Sequence, residues 1–80
     1  MVKITVYSSN MCGACEMVKA FLELRNVEFI EKNVSTDVDG SAELIAMGFD
    51  STPVTVIGKQ KLTGFDTASL DAAILELENA

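Results

Sequence analysis

The chain opens on alternation. In M1-V2-K3-I4-T5-V6-Y7 the apolar residues Val2, Ile4 and Val6 take every second place, and a period of two puts them on one side of a strand. We read the first strand over Val2 to Tyr7. From Cys12 to Arg25 the period changes: Ala14, Val18, Phe21 and Leu22 recur at spacings of three and four with Glu16, Lys19, Glu23 and Arg25 between them. That is the pattern of an amphipathic helix, and Asn26 supplies its stop. Alternation returns over Val27 to Asn33, with Val27 and Phe29 set against Glu28 and Glu31, until the polar run Ser35-Thr36-Asp37-Val38-Asp39-Gly40 reads as a loop. A short helix follows from about Ser41 to Met47, with Leu44 and Ile45 facing inward and Gly48 as a left-handed cap. Pro53, the single proline, precedes the strand V54-T55-V56-I57. Gly58-Lys59 then turns into Gln60-Lys61-Leu62-Thr63, whose lysines suit a sheet edge. Asp66 or Thr67 can cap a last helix striped by Leu70, Ala73, Ile74 and Leu77.

The sum is β-α-β-α-β-β-α, an α/β chain. A crossover helix makes strands one and two parallel, and a short turn makes strands three and four antiparallel, so a four-stranded mixed sheet flanked by three helices is expected. Eighty residues are enough for one core, and residues 1–80 are read as a single domain. Twelve acidic against six basic residues give a formal charge of -6, which repels phosphate backbones and anionic lipid surfaces. Neither nucleic acid nor membrane is therefore expected as a partner. The start of the chain has the alternation of a strand rather than the continuous apolar run of a signal peptide. A soluble, cytoplasmic monomer follows as the expectation.

The chemistry concentrates in S9-N10-M11-C12-G13-A14-C15-E16, which holds both cysteines of a chain without histidine. In a reducing compartment such a pair serves redox exchange or metal binding more often than permanent cross-linking. Cys12 falls where a helix begins, among unpaired N–H groups and the positive end of the helix dipole, which favour the thiolate. Its acidity is expected to move from about 8.5 towards the range of roughly 3.5 to 7.5 found in such motifs. Cys15, one turn further on, can attack a mixed disulfide formed on Cys12 and is the one expected to be buried. Gly13 and Ala14 add no bulk. A closed zinc site needs about four ligands, and two thiols supply half of them. A Cu(I) or iron–sulfur carrier is the rival from another class, since soft sulfur ligands suit Cu(I) and Met11-Cys12-Gly13-Ala14-Cys15 is similar to the Met-x-Cys-x-x-Cys loop of copper chaperones. In that comparison Met11 stands one place out of register, and the order of elements differs. No proton donor for the leaving thiolate is evident: neither Glu16 nor Lys19 can be assigned that role.

Taken together, I4-T5-V6-Y7, C12-G13-A14-C15, M47-G48-F49, T52-P53-V54 and T63-G64-F65 resemble, in that order, the glutaredoxin branch of the thioredoxin superfamily. Within it the likeness is closest to NrdH-redoxins and other glutaredoxin-like proteins. The resemblance implies a thioredoxin-like fold and a thiol–disulfide oxidoreductase whose redox group is the Cys12–Cys15 disulfide, with no other cofactor and no metal. It implies that Pro53 is a cis-proline facing the cysteines and that the Thr52 backbone pairs with an extended substrate. Gly64 lets that substrate approach, and Phe65 packs on the last helix. Ser9 stands where glutaredoxins carry a lysine or arginine for a glutathione carboxylate, and Thr63-Gly64 replaces their Gly-Gly. A thioredoxin-reductase-type flavoprotein is therefore the expected electron source, and glutathione the alternative. The client implied is a disulfide-bearing protein, in NrdH-redoxins a class Ib ribonucleotide reductase. Those proteins show Trp-Ser-Gly-Phe-Arg-Pro where this chain has L62-T63-G64-F65-D66-T67.

Overall fold

Strand β1 (Ile4–Ser8) is the hub of the sheet. In the computed structural model, which describes residues 3–79, it pairs in parallel with β2 (Ile30–Asn33) and antiparallel with β3 (Val54–Ile57). β3 in turn pairs antiparallel with β4 (Gln60–Thr63), giving the order β2-β1-β3-β4. Helices α1 (Gly13–Leu24), α2 (Val38–Ala46) and α3 (Thr67–Glu78) complete the expected β-α-β-α-β-β-α sequence of elements.

Strand parity sorts the core into two halves. Ile4, Val6 and Ile57 point to one face, where Val18 and Leu22 of α1 and Leu70, Ala73 and Ile74 of α3 cover them. Tyr7 and Val54 point to the other face, against Leu44 of α2. Burying each such aliphatic side chain contributes about 1.5–3 kcal/mol relative to leaving it in water, so both faces need their helices. The sheet is thereby held between two helical layers, and the C-terminal end of β1 is aimed at the loop that carries the cysteines.

Several expectations change in detail. Val2, assigned to the first strand, lies outside the described residues. The second strand starts at Ile30 rather than Val27, because its register with β1 begins at Thr5↔Ile30; Val27 and Phe29 still pack on the core as the chain approaches the sheet. The alternation sets Glu31 against those two residues. It pairs with Val6 and reaches Ser8, which puts it on the face that α1 covers. In α1 the buried stripe is Cys15, Val18 and Leu22, and Ala14 is exposed. Ile45 is 67% exposed: a step of roughly 100° along the helix carries it off the face that Leu44 occupies.

The largest change is at α2, which begins at Val38 inside the run read as a loop. Asp37 caps it, its carboxylate accepting the Gly40 amide at 3.0 Å. Gly40 serves close packing here, since a Cβ there would lie 3.1 Å from the Asp37 carboxyl and 3.2 Å from Lys32 Cβ. Asp37→Ala is expected to cost about 1 kcal/mol of stability through the lost cap, measured as a lower urea midpoint at unchanged slope. Elsewhere the stops hold: Asn26 (φ 56°) and Gly48 (φ 90°) end α1 and α2 in the left-handed region, and Asp66 rather than Thr67 caps α3.

Candidate active site

β1 ends at Ser8, and four residues later the chain enters α1. That short connection is pinned from the side: the Asn10 amide donates to Ser35 Oγ at 3.0 Å, and Asn33 Nδ2 donates to Asn10 Oδ1 at 3.0 Å. Met11, at φ 56°, turns outward and is fully exposed. Cys12 then becomes the N-cap of α1, in extended backbone, and its Sγ accepts the Cys15 amide at 3.1 Å. A sulfur thus takes the place usually held by a serine or aspartate oxygen at a helix start, where the orphan amides and the dipole favour negative charge.

Cys12 and Cys15 are joined in a disulfide, their Cα atoms 5.2 Å apart. The two differ in access. Cys15 is fully buried, whereas Cys12 is partly exposed, and Gly13 and Ala14 between them are exposed and small. An incoming nucleophile therefore meets Cys12 first.

The far wall of the site comes from the approach to β3. The Thr52–Pro53 bond is cis, as the resemblance implied. Thr52 Oγ1 donates to Cys12 Sγ at 3.9 Å, and Ser9 Oγ meets Thr52 Oγ1 at 2.5 Å. The Pro53 carbonyl accepts the Gly64 amide at 3.1 Å, tying the turn at Gly64 (φ 69°) to the same wall. Thr52, two residues before β3, takes no part in the turn and loop hydrogen bonds found among the described residues. Phe65 meets the edge of Phe21 on α1, with ring centroids 6.2 Å apart, and joins the core beneath the site. Of the residues singled out in sequence, Cys12, Cys15 and Thr52 converge directly; Pro53 follows Thr52 through the cis bond, Gly64 joins through its hydrogen bond to the Pro53 carbonyl, and Phe65 through packing.

Charged groups gather on α1 behind the cysteines. Lys19 bonds Glu16 at 2.7 Å and Glu31 at 2.8 Å, which raises the Lys19 pKa, Glu16 being the larger cause. Glu31 also accepts the buried Ser8 hydroxyl at 2.7 Å; Lys19 first and Ser8 second hold its carboxyl below the usual range. Both charges are thus engaged with each other. On the opposite face Tyr7 donates to Glu43 at 2.9 Å, and its phenol is pushed up by burial first and by Glu43 second. Among the described residues no third His, Cys, Asp or Glu gathers with the cysteines into a set that could hold a metal ion, and no helix is long and apolar enough to cross a membrane.

What sequence reasoning missed is the frame around the pair. Asn10, Asn33 and Ser35 carry a readable local signal, an Asn-x-Ser turn in which Asn33 Oδ1 accepts the Ser35 amide at 2.9 Å. The Ser9–Thr52 contact has no such signal, because it joins positions 43 residues apart.

Known proteins are similar to this chain in sequence and fold. The glutaredoxin family model matches residues 4–62. The glutaredoxin-like protein NrdH of Lactococcus lactis is 34% identical over 67 residues, covering 84% of this chain and 93% of its own. NrdH of Escherichia coli is 33% identical over 63 residues, covering 79% and 78%. The structure of Escherichia coli NrdH-redoxin superposes with a TM-score of 0.78 at 30% identity, over 86% of this chain and 91% of that one. The fold is thioredoxin-like, and the protein belongs to the glutaredoxin family as a thiol–disulfide oxidoreductase that works through its Cys-x-x-Cys pair.

Proposed function

We propose that the protein is a protein-disulfide reductase that draws its electrons from a thioredoxin-reductase-type flavoprotein. In the reduced state the Cys12 thiolate attacks one sulfur of a client disulfide. A new S–S bond forms between Cys12 and the client, and the other client sulfur leaves as a thiolate that takes up a proton. Cys15, on losing its proton, attacks the Cys12 sulfur, and the second client sulfur leaves in the same way. Two electrons have then passed from the dithiol to the client, and Cys12–Cys15 is again a disulfide. Thr52 offers the client its backbone groups beside Cys12, with the cis bond to Pro53 setting their direction and Gly64 opening space next to them, and Phe65 props α1 from below.

The observation that carries the choice of reductant is Ser9. Its neutral hydroxyl occupies the position of the carboxylate-binding cation and is already engaged with Thr52. The Escherichia coli NrdH-redoxin is described as having a thioredoxin-like activity profile, and the present chain shares its topology. As client we assign a disulfide-bearing protein taken up in solution in the cytoplasm, and a class Ib ribonucleotide reductase is the first to assay. The test supplies NADPH with thioredoxin reductase in one arm and with glutathione and glutathione reductase in the other. Faster reduction by the flavoprotein is expected. Turnover with glutathione at the rate of an ordinary glutaredoxin overturns the assignment.

A further inference from the structure

Cys12 Sγ has two hydrogen-bond donors among the described residues. One is the Cys15 amide, a consequence of the helix start. The other is the Thr52 hydroxyl at 3.9 Å, which comes from across the site and has company, since Ser9 Oγ lies 2.5 Å from Thr52 Oγ1. A hydroxyl has one proton. If Thr52 directs its proton to sulfur, its oxygen must accept in the second contact, so the proton there belongs to Ser9. The chain of donors then runs Ser9 to Thr52 to Cys12. Reversing it would aim the Thr52 proton at Ser9 and turn a lone pair towards the sulfur.

We propose that Ser9 and Thr52 form a two-hydroxyl relay that ends on the nucleophilic sulfur, with Thr52 as its donor and Ser9 as the positioning residue that fixes which way Thr52 points. The inference rests on Cys12 being the attacking cysteine; it is independent of which reductant resets the protein. In the disulfide the sulfur is a weak acceptor and the contact is long. Once the dithiol forms, a Cys12 thiolate is a charged acceptor, and hydrogen bonds to charged groups are shorter and about twice as strong. A donor that is itself hydrogen-bonded is strengthened further, because successive bonds polarise one another. The relay therefore favours the reduced, ionised nucleophile over both the neutral thiol and the disulfide.

Position 9 acquires a role beyond lacking a cation. A lysine side chain there would bring a full charge with its donors, so this chain has a neutral polar link where a cation-bearing relative has a ligand anchor. The ionisable side chains on the surrounding elements are Cys15, Glu16 and Lys19 of α1, Glu31 of β2, Asp50 ahead of Pro53 and Asp66 at the start of α3. Lys19 is bonded to Glu16 and Glu31, and Asp66 is bonded to the Ala68 amide and the Ser69 hydroxyl. Among the described residues, none of these side chains donates to Cys12 Sγ.

The experiment follows the reduced protein by its alkylation with iodoacetamide across pH, in which the Cys12 thiolate sulfur displaces iodide. The ultraviolet absorbance of the thiolate is read in parallel, and neither measurement needs a client or a reductase. Thr52→Val is expected to move the profile about one pH unit alkaline, a tenfold fall in the acid dissociation constant. Ser9→Ala should move it about threefold in the same direction, and Ser9→Thr, which restores a hydroxyl, should return it to the wild-type position. The decisive comparison is the double variant. Because Ser9 acts through Thr52, adding Ser9→Ala to Thr52→Val should shift the profile no further, whereas independent contributions add. Additive shifts, or a Ser9→Ala profile equal to wild type, would overturn the relay. Thermal melts of the oxidised variants within a few degrees of wild type are expected, since both side chains lie at the partly exposed rim rather than in the core. A profile that shifts only alongside a collapsed melting temperature counts against the proposal, and Ser9→Thr separates that case by recovering fold and profile together. If Cys15 rather than Cys12 carries the alkylated group in wild type, the assignment of the nucleophile fails instead, and peptide mapping distinguishes the two failures.

Discussion

Cys12→Ser should abolish disulfide exchange altogether, whereas Cys15→Ser should leave a protein that accumulates as a mixed disulfide with its client. The asymmetry follows from where one helical turn places the two sulfurs. Cys12 is the N-cap, partly exposed, with its Sγ under the Cys15 amide and facing Thr52. Cys15 is fully buried in the stripe that continues through Val18 and Leu22. A burial of that kind disfavours the charged form of a thiol, while the helix terminus favours it at Cys12, so the environments push the two apart. Replacing Cys12 removes the sulfur that forms the first bond. Replacing Cys15 spares that bond and removes the attack that breaks it. Non-reducing electrophoresis after incubation with a disulfide-bearing client reads both outcomes: a covalent adduct for Cys15→Ser that dissolves in dithiothreitol, and none for Cys12→Ser. An adduct on Cys12→Ser, or faster alkylation of Cys15 than of Cys12 in the wild type, would reverse the roles.

The features that read well in sequence are those governed by local period. Ile4 and Val6 announce β1, Val18 and Leu22 announce α1, and Leu70, Ala73 and Ile74 announce α3, because a half-buried strand or helix repeats its apolar residues at two or at three and four. The cysteine pair is legible for the same reason, since three residues is one turn and a helix start carries its own electrostatics. Misreadings fall where one residue serves two purposes. Asp37 and Gly40 look like loop formers, yet the aspartate caps α2 and the glycine allows the helix to approach Lys32. Ile45 is as apolar as Leu44, but helical geometry admits only one of two neighbours to the inner face. Glu31, set against Val27 and Phe29 by the alternation, stays exposed but turns towards α1, where Ser8 and Lys19 bond it. The frame of the active site was hidden for a different reason. Asn10 meets Ser35 only when β1 and β2 lie side by side, and Ser9 meets Thr52 only when β1 and β3 do; no periodicity encodes a contact that the topology creates.

Ser9→Lys should raise the rate of glutathione-driven reduction about tenfold or more. Glutathione is an anion with two carboxylates, and a cation beside the nucleophile supplies a charge-assisted hydrogen bond worth roughly 1.5–3 kcal/mol, of which about 1.4 kcal/mol is a factor of ten. The wild-type hydroxyl at this position offers no charge and is already bonded to Thr52. A net charge of -6 opposes approach of the tripeptide from a distance, so the introduced cation also relieves a local repulsion. That part of the gain should shrink as salt rises, because screening at 0.1 M already acts over about 10 Å. The proper reference is Ser9→Ala, since both substitutions remove the Ser9 hydroxyl and only the lysine adds charge. Measured as kcat/KM with glutathione as the varied reductant, the ratio of Ser9→Lys to Ser9→Ala isolates the cation from the loss of the hydroxyl. The same ratio measured with thioredoxin reductase should lie near one, because the cation serves a small-molecule carboxylate rather than a client's extended backbone edge. Equal ratios with the two reductants would mean that the lysine acts on Cys12 itself, through its charge, and that glutathione is kept out by something other than the missing cation at position 9.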